Sequence, residues 1–400
     1  MLRAIFSNNL DSKLSGSISG TTPFQYLGFI IFWTLSLPAI WFPPQTIRHL
    51  FTAKAAVVPI AGIAFLIWAI VKAGGIGPVV HQETTISGSK HGWAFIASLM
   101  NCIANFATLI LNAPDFSRFA KTKKSSFWSQ AISIPFCFAL TSLIGILVSS
   151  ASTIIYGRTY WSPLDVLGLF LENYKSGNRA GVFFIAFAFA LAQLGTNISA
   201  NSLSAGTDMT ALLPRYISIR RGGFICAAIS LCICPWNFFK SSNNFTSYLS
   251  SYSVFLSAIS GVVFSDYFWV RRGLLKLLHL YTGDKNSDYR FNKIGVNWRA
   301  YVAYICGILI NIVGFAGDVG QDVPIGATYI YRLNYFCGFI ISFVLYGVLS
   351  HFFPFQGIPI SNIFKDKGWF QEWQEVDDFE VSKDLSVVEY GEAPKPEKSF

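Results

Sequence analysis

Hydrophobic positions in this chain come in long blocks, not in short alternations. Nine apolar segments, at roughly 24–42, 56–73, 93–113, 128–156, 180–204, 223–239, 247–270, 300–317 and 332–353, are long enough, or nearly so, to cross a bilayer as helices. The segment at 128–156 has residues to spare and is expected to tilt. The one at 223–239 is short and carries Pro235. Segment 180–204 runs on into polar sequence: Gln193, Asn197, Asn201, Ser204 and Asp208 follow one another at spacings of three and four. At about 100° per residue they share one narrow stripe of a helix otherwise built of Phe, Ala, Leu and Ile. Segment 93–113 repeats the pattern with Asn101, Asn105, Thr108, Asn112 and Asp115, and Pro114 is expected to end its regular helix.

Amides and carboxylates facing hydrocarbon are costly, so each stripe must meet a partner helix or a wet cavity. One stripe alone reads as amide glue between helices. Two stripes of matching polarity predict a shared cavity for a small polar solute. An Asn side chain offers one acceptor group and two donors, which suits a planar heterocycle with alternating N–H and C=O groups. The serines of 247–270 (Ser247, Ser250, Ser251, Ser253, Ser257, Ser260, Ser265) predict close helix packing rather than a moving gate. Asp266 and Tyr267, ahead of Arg271 and Arg272, read as a cytoplasmic anchor.

Composition turns these segments into a fold class. Of 400 residues, 52% are hydrophobic and only 13% charged, where a soluble chain carries about a quarter charged. The chain is expected to be an all-α polytopic membrane protein. Its net charge of +9 should therefore sort across a bilayer and is no nucleic-acid signal. Basic residues concentrate in loops 43–55, 114–127, 205–222 and 271–299, which predicts that these loops are cytoplasmic. By alternation residues 1–23 form an exterior N-terminal segment, 24–353 the transmembrane domain, and 354–400 a cytoplasmic, flexible tail. An odd helix count with an exterior N-terminus suggests that further sequence precedes residue 1 in relatives. No signal-peptide pattern opens the chain. The glycosylation sequon at Asn244 to Thr246 sits in a short exterior loop. The seven cysteines lie mostly inside apolar runs and read as packing thiols, and the five scattered histidines show no metal-ligand spacing. With no nucleophile–base pair either, no enzyme, metal or cofactor is expected.

Several longer stretches then resemble one family. NAPDFSRF (Asn112 to Phe119), GTNISANSLSAGTDMTALLPRYISIRRG (Gly195 to Gly222), CPWNF (Cys234 to Phe238) and SDYFWVRRG (Ser265 to Gly273) look like the fungal branch of the nucleobase–cation symport-1 family, which includes uracil, uridine and allantoin permeases. The likeness runs collinearly through residues 1–353. It implies a twelve-helix carrier with inverted repeats around a midplane site, of which the nine segments resemble helices four to twelve. The helices before these, which supply cation and substrate contacts in the family, are not in this sequence. The resemblance implies substrate contacts at Asn201, Asn197, Phe106 and Asn105, with Phe106 against the substrate ring. It matches Ala192, Gly195 and Thr196 to the cation ligands of sodium-coupled relatives. Gly195 stands where those relatives have a hydroxyl, which fits proton coupling. The implied partners are a nucleobase, nucleoside or allantoin, a proton and the lipid bilayer, with no nucleic acid. The implied location is the plasma membrane. The other expectation is a truncated, non-transporting remnant retained inside the cell.

Overall fold

The computed structural model describes residues 1–6, 21–42, 44–81, 83, 86–117, 120, 122–171, 175–237, 242–273, 275, 289–291 and 295–355. The regular elements among them are helices: α1 (Leu2–Phe6), α2 (Pro23–Trp41), α3 (Pro44–Ala73), α4 (Ser89–Ser117), α5 (Lys123–Tyr156), α6 (Pro163–Leu169), α7 (Ser176–Asn197), α8 (Ser204–Leu212), α9 (Ile219–Cys232), α10 (Ser242–Phe264), α11 (Trp298–Asp318), α12 (Ile325–Tyr331) and α13 (Asn334–Phe352). Among the described residues, eight helical stretches are long and apolar enough to cross a membrane. Such sequences fold as helices because only internal hydrogen bonding satisfies the backbone in lipid. The chain is an integral membrane protein.

Helix ends follow local chemistry. Pro23 opens α2 behind Thr22, whose Oγ1 accepts from Gln25 N at 3.3 Å while Gln25 Oε1 accepts from Thr22 N at 3.3 Å. This reciprocal cap satisfies two otherwise orphaned amides. Helix α5 stops at Gly157, whose φ of 71° lets the chain turn left-handed.

The chain packs as two compact units, Met1–Thr85 with Asn112–Asn244, and Ile86–Leu111 with Phe245–Phe400. In the first, α3 lies against α5 and α7, and Phe65, Ala69, Val148, Ala151, Phe170 and Val182 form the core. Phe65 meets Phe170 and Phe189 edge-on at 6.0 and 5.9 Å between ring centres. Arg179 at the start of α7 holds α1 in place, its Nε donating to Ala4 O at 2.9 Å and its Nη2 to Ile5 O at 2.8 Å.

In the second unit α10, α11 and α13 pack through small residues. Ser253, Ser257, Ser260 and Ser342 are fully buried. Ser342 Oγ donates to Ala303 O at 3.1 Å, and Asn311 Nδ2 to Asn334 O at 3.0 Å. Ser253, Ser257 and Ser260 of α10 are thus packing residues, as the serine pattern of this helix predicts. At the other end of the same helices, Asp266 Oδ2 accepts from Arg271 Nε at 2.7 Å and Asp266 Oδ1 from Tyr346 Oη at 2.7 Å. Asn297 Nδ2 donates to Tyr346 Oη at 3.1 Å. Arg299 Nε donates to Phe353 O at 2.5 Å, and the Arg271 and Arg299 guanidinium groups each lie 5.2 Å from the Phe355 ring. Asp266 is therefore an anchor, with Tyr346 rather than Tyr267 as its phenol.

The structure corrects four expectations. Among the described residues of the segment at 223–239, the α-helix is α9, 14 residues long, followed by a single 3-10 turn at Pro235–Asn237. At 1.5 Å per residue that is about 21 Å, short of a bilayer core of about 30 Å. It ends because Pro235 disfavours helical backbone at the residue before it, and Cys234 turns to a φ of 53°. Pro114 does not end α4, which continues to Ser117. The expected loop at 43–55 is mostly helix, since α3 begins at Pro44, so Arg48 and Lys54 ride on that helix. The sequon at Asn244 to Thr246 falls in the first turn of α10, not in a loop. Lys276, Lys285, Lys293, residues 7–20 and the tail from residue 356 lie outside the described residues.

The tightest point of the second unit sets a prediction. A Cβ at Gly307 would collide with Ser342 Oγ and stand 2.9 Å from Gly338 O. Gly307→Val is expected to destabilise the protein by about 1–3 kcal/mol, read as a lower melting temperature of the detergent-purified chain. Gly28→Ala, at a position with nothing within 4 Å, is expected to melt like the parent chain.

Candidate functional site

The polar stripe of the first unit is built on α7 and α8, which are joined by a turn of π-helix at Ile198–Leu203. A π turn is wider than an α turn, so positions beyond it lag the regular advance of about 100° per residue. The stripe expected from the sequence is therefore interrupted. Gln193, Asn201 and Asp208 are exposed. Ser204, expected on the same arc, is buried at 1% exposure, and its Oγ has no hydrogen-bond partner.

What the turn preserves is the pair Asn197 and Asn201. Asn201 Nδ2 donates to Asn197 Oδ1 at 2.8 Å. This bond uses one donor and one acceptor. The Asn201 carbonyl, its second N–H and the Asn197 amino group retain their capacity. The pair thus presents an acceptor beside donors, the complement of an amide edge.

Beside this pair is a contact that sequence reasoning misses. Lys54 Nζ, from α3, donates to Thr196 Oγ1 at 2.8 Å. Lys54 is half-buried. Gly195 makes the approach possible: a Cβ there would lie 2.9 Å from Lys54 Cδ. Ser199 Oγ closes the same turn by donating to Gly195 O at 3.0 Å. Ala192 lies one turn before Thr196 on α7, half-buried. The sequence pattern puts Lys54 in a basic loop, where nothing sets it opposite Thr196. Its only signal is a position just ahead of the apolar run that starts at Ala55, and many helix-end lysines share that signal.

The second stripe belongs to the other unit as far as Leu111. Asn101 Oδ1 accepts from Ser250 Oγ at 2.7 Å, and Tyr252 Oη donates to Ala104 O at 3.2 Å. Asn101 is therefore glue between α4 and α10. Asn105 is exposed and Phe106 half-buried on the same helix. Of the residues singled out from the sequence, Ala192, Gly195, Thr196, Asn197 and Asn201 are brought together in the first unit, while Asn105 and Phe106 lie in the second.

Comparison with known proteins agrees with this architecture. A family described as permeases for cytosine/purines, uracil, thiamine and allantoin matches residues 1–338. The chain is 54% identical over 391 residues to the allantoin permease of Saccharomyces cerevisiae, covering 95% of this chain and 61% of that protein. It is 53% identical to the uracil permease of the same yeast, with 95% and 61% covered, and 50% identical to its uridine permease, with 98% and 62% covered. The chain thus spans about three fifths of the length of these relatives. Among solved structures, Mhp1, a nucleobase-cation-symport-1 family transporter in a closed conformation with bromovinylhydantoin bound, matches with a TM-score of 0.59 at 20% identity, covering 88% of this chain and 72% of that one. At that identity the likeness concerns the fold. On the profile match and the yeast relatives together, the chain belongs to the family of permeases for cytosine/purines, uracil, thiamine and allantoin.

Proposed function

We propose that this chain takes part in carrying a small uncharged heterocycle or ureide across the plasma membrane in symport with protons. The substrate would be a nucleobase, its nucleoside, or allantoin. The observation that carries the reading is the Asn197–Asn201 amide pair, held at 2.8 Å on one helix with donor and acceptor capacity to spare. A urea-type edge, with N–H beside C=O, meets that arrangement without needing a charge. The yeast relatives named for allantoin, uracil and uridine all move molecules bearing such an edge. The family resemblance adds a further amide, Asn105, and an aromatic face for the ring, Phe106. Such stacking contributes about 0.5–1.5 kcal/mol beyond area burial.

The Lys54 contact supports proton rather than sodium coupling. Ala192, Gly195 and Thr196 match the cation ligands of sodium-coupled relatives. Here the Lys54 ammonium already donates to Thr196 Oγ1, with its stem across Gly195. A tethered cation repels a mobile one at short range. A half-buried lysine is, in addition, a group whose proton can be exchanged.

Two outcomes test this. Uptake of radiolabelled allantoin, uracil and uridine is measured in cells lacking their own carriers. Both the chain itself and a chimera bearing the preceding residues of the yeast allantoin permease ahead of Met1 are assayed. At matched surface expression, Asn201→Ala is expected to lower uptake about tenfold or more, the loss of one or two ligand hydrogen bonds at about 1–3 kcal/mol each. Uptake equal to that of the parent would remove Asn201 from the site.

The second outcome concerns coupling. Uptake by the parent is expected to rise as the external pH falls and to ignore sodium. Lys54→Met is expected to flatten that pH dependence. Uptake stimulated by sodium, or an unchanged pH profile in Lys54→Met, would sink the coupling role.

A further inference from the structure

A second polar site lies wholly within the second unit. Part of α4, Ser250 of α10, the end of α11, α12 and Asn334 line a half-open cavity of about 440 Å³. Small-molecule sites commonly span about 300–1,000 Å³. Polar groups at the ends of membrane helices can reach interfacial water, so the informative ones here are those that are buried.

Part of the wall is packing. Ser250 Oγ donates to Asn101 Oδ1 at 2.7 Å, and Asn334 Nδ2 donates to Ser250 O at 3.5 Å. Asn334 is only 2% exposed. The remainder is not engaged in this way. Tyr331 is 8% exposed, and its Oη is buried without a hydrogen-bond partner. Asp318, Ser251 and Asn334 stand near that hydroxyl, none in hydrogen-bonding geometry. Burial, and then the Asp318 carboxylate, push the phenol up from its ordinary value, so it keeps a proton to donate. Asp318, Asp322 and Arg332 line the same cavity. Arg332 has no ion pair among the described residues. Its guanidinium is instead set over the Tyr329 ring at 5.6 Å, and Tyr329 stacks on Trp93 at 4.5 Å.

Carboxylates that can accept N–H, and a guanidinium and a phenol that can donate to C=O, therefore converge on one space without neutralising one another. A monovalent cation fits poorly. Arg332 opposes it, and the cavity is far wider than a single coordination shell. We propose that this cavity is a second binding site for a neutral, multiply amidic solute of the urea or imide type. Asp318 and Asp322 accept its N–H groups, and Tyr331 and Arg332 donate to its carbonyl oxygens. The assignment rests on the lining chemistry and stands apart from the transport reading, since no residue of the Asn197–Asn201 pair lines the cavity.

The test is equilibrium binding of radiolabelled allantoin and uracil to the purified chain in lipid nanodiscs. Asn201→Ala is expected to retain a saturable component. In that background Tyr331→Phe, which keeps the ring, is expected to weaken it about tenfold, and Arg332→Gln with Asp318→Asn to remove it. Melting temperatures equal to that of Asn201→Ala certify the fold of each variant. The proposal is overturned if Asn201→Ala abolishes all saturable binding, if the remaining component ignores Tyr331→Phe and the double variant, or if sodium chloride alone raises the melting temperature while neither solute binds. Unchanged uptake in Asn201→Ala would instead count against the transport site and leave this one standing.

Discussion

A polar group inside hydrocarbon must find its partner within the protein, because neither water nor lipid will supply one. The second unit meets this demand by bringing helix backbones together. Glycine at 307 and 338 and serine at 257 and 342 let α10, α11 and α13 approach until side-chain hydroxyls and amides reach backbone carbonyls of the next helix. In the first unit the demand does not arise between α3, α5 and α7, where apolar side chains and the rings of Phe65 and Phe170 fill the space. Among the described residues, polar side chains left outside these arrangements include the Asn197–Asn201 turn and the lining of the Tyr331 cavity.

Function in such a protein rests on where close packing stops. The turn of π-helix at Ile198–Leu203 follows Asn197, and it offsets the two halves of an otherwise continuous helical stretch. Its wider winding keeps Asn201 against Asn197 while turning Ser204 into the protein. Gly195, just before it, gives up a side chain so that the Lys54 stem can cross. The amide pair on this helix and the Lys54 ammonium reaching across from α3 are thereby set side by side, since the lysine's partner Thr196 immediately precedes Asn197.

Much of this is legible in the sequence. Long apolar blocks specify membrane helices because length and hydropathy are the whole requirement, and among the described residues eight of the nine segments form such helices. The ninth fails where a local backbone constraint, Pro235 after a left-handed Cys234, overrides composition. The Asn197–Asn201 pair is visible as a four-residue spacing, which survives the wider turn. Ser204 is misplaced because a regular advance per residue cannot anticipate that turn. Lys54 is hidden for a different reason: its significance lies in a partner 142 positions away, and a lysine near the start of an apolar run looks like an ordinary end-of-helix charge. Arg332 and Tyr331 are likewise invisible, since their meaning depends on which helix ends gather round them.

The anchor at Asp266 has a mechanical corollary. One carboxylate receives both Arg271, from just beyond the end of α10, and Tyr346, from α13, and Arg299 at the start of α11 grips the carbonyls of Phe353 and Pro354 where α13 ends. Three helices are thus tied at a common end, while the opposite ends border the cavity. A bundle fastened at one end can splay at the other like the legs of a tripod. It cannot easily slide α13 along its neighbours, because sliding would break the Tyr346–Asp266 bond and both carbonyl contacts at once. Force applied to the chain beyond Phe355 would meet this knot before it reached the membrane helices.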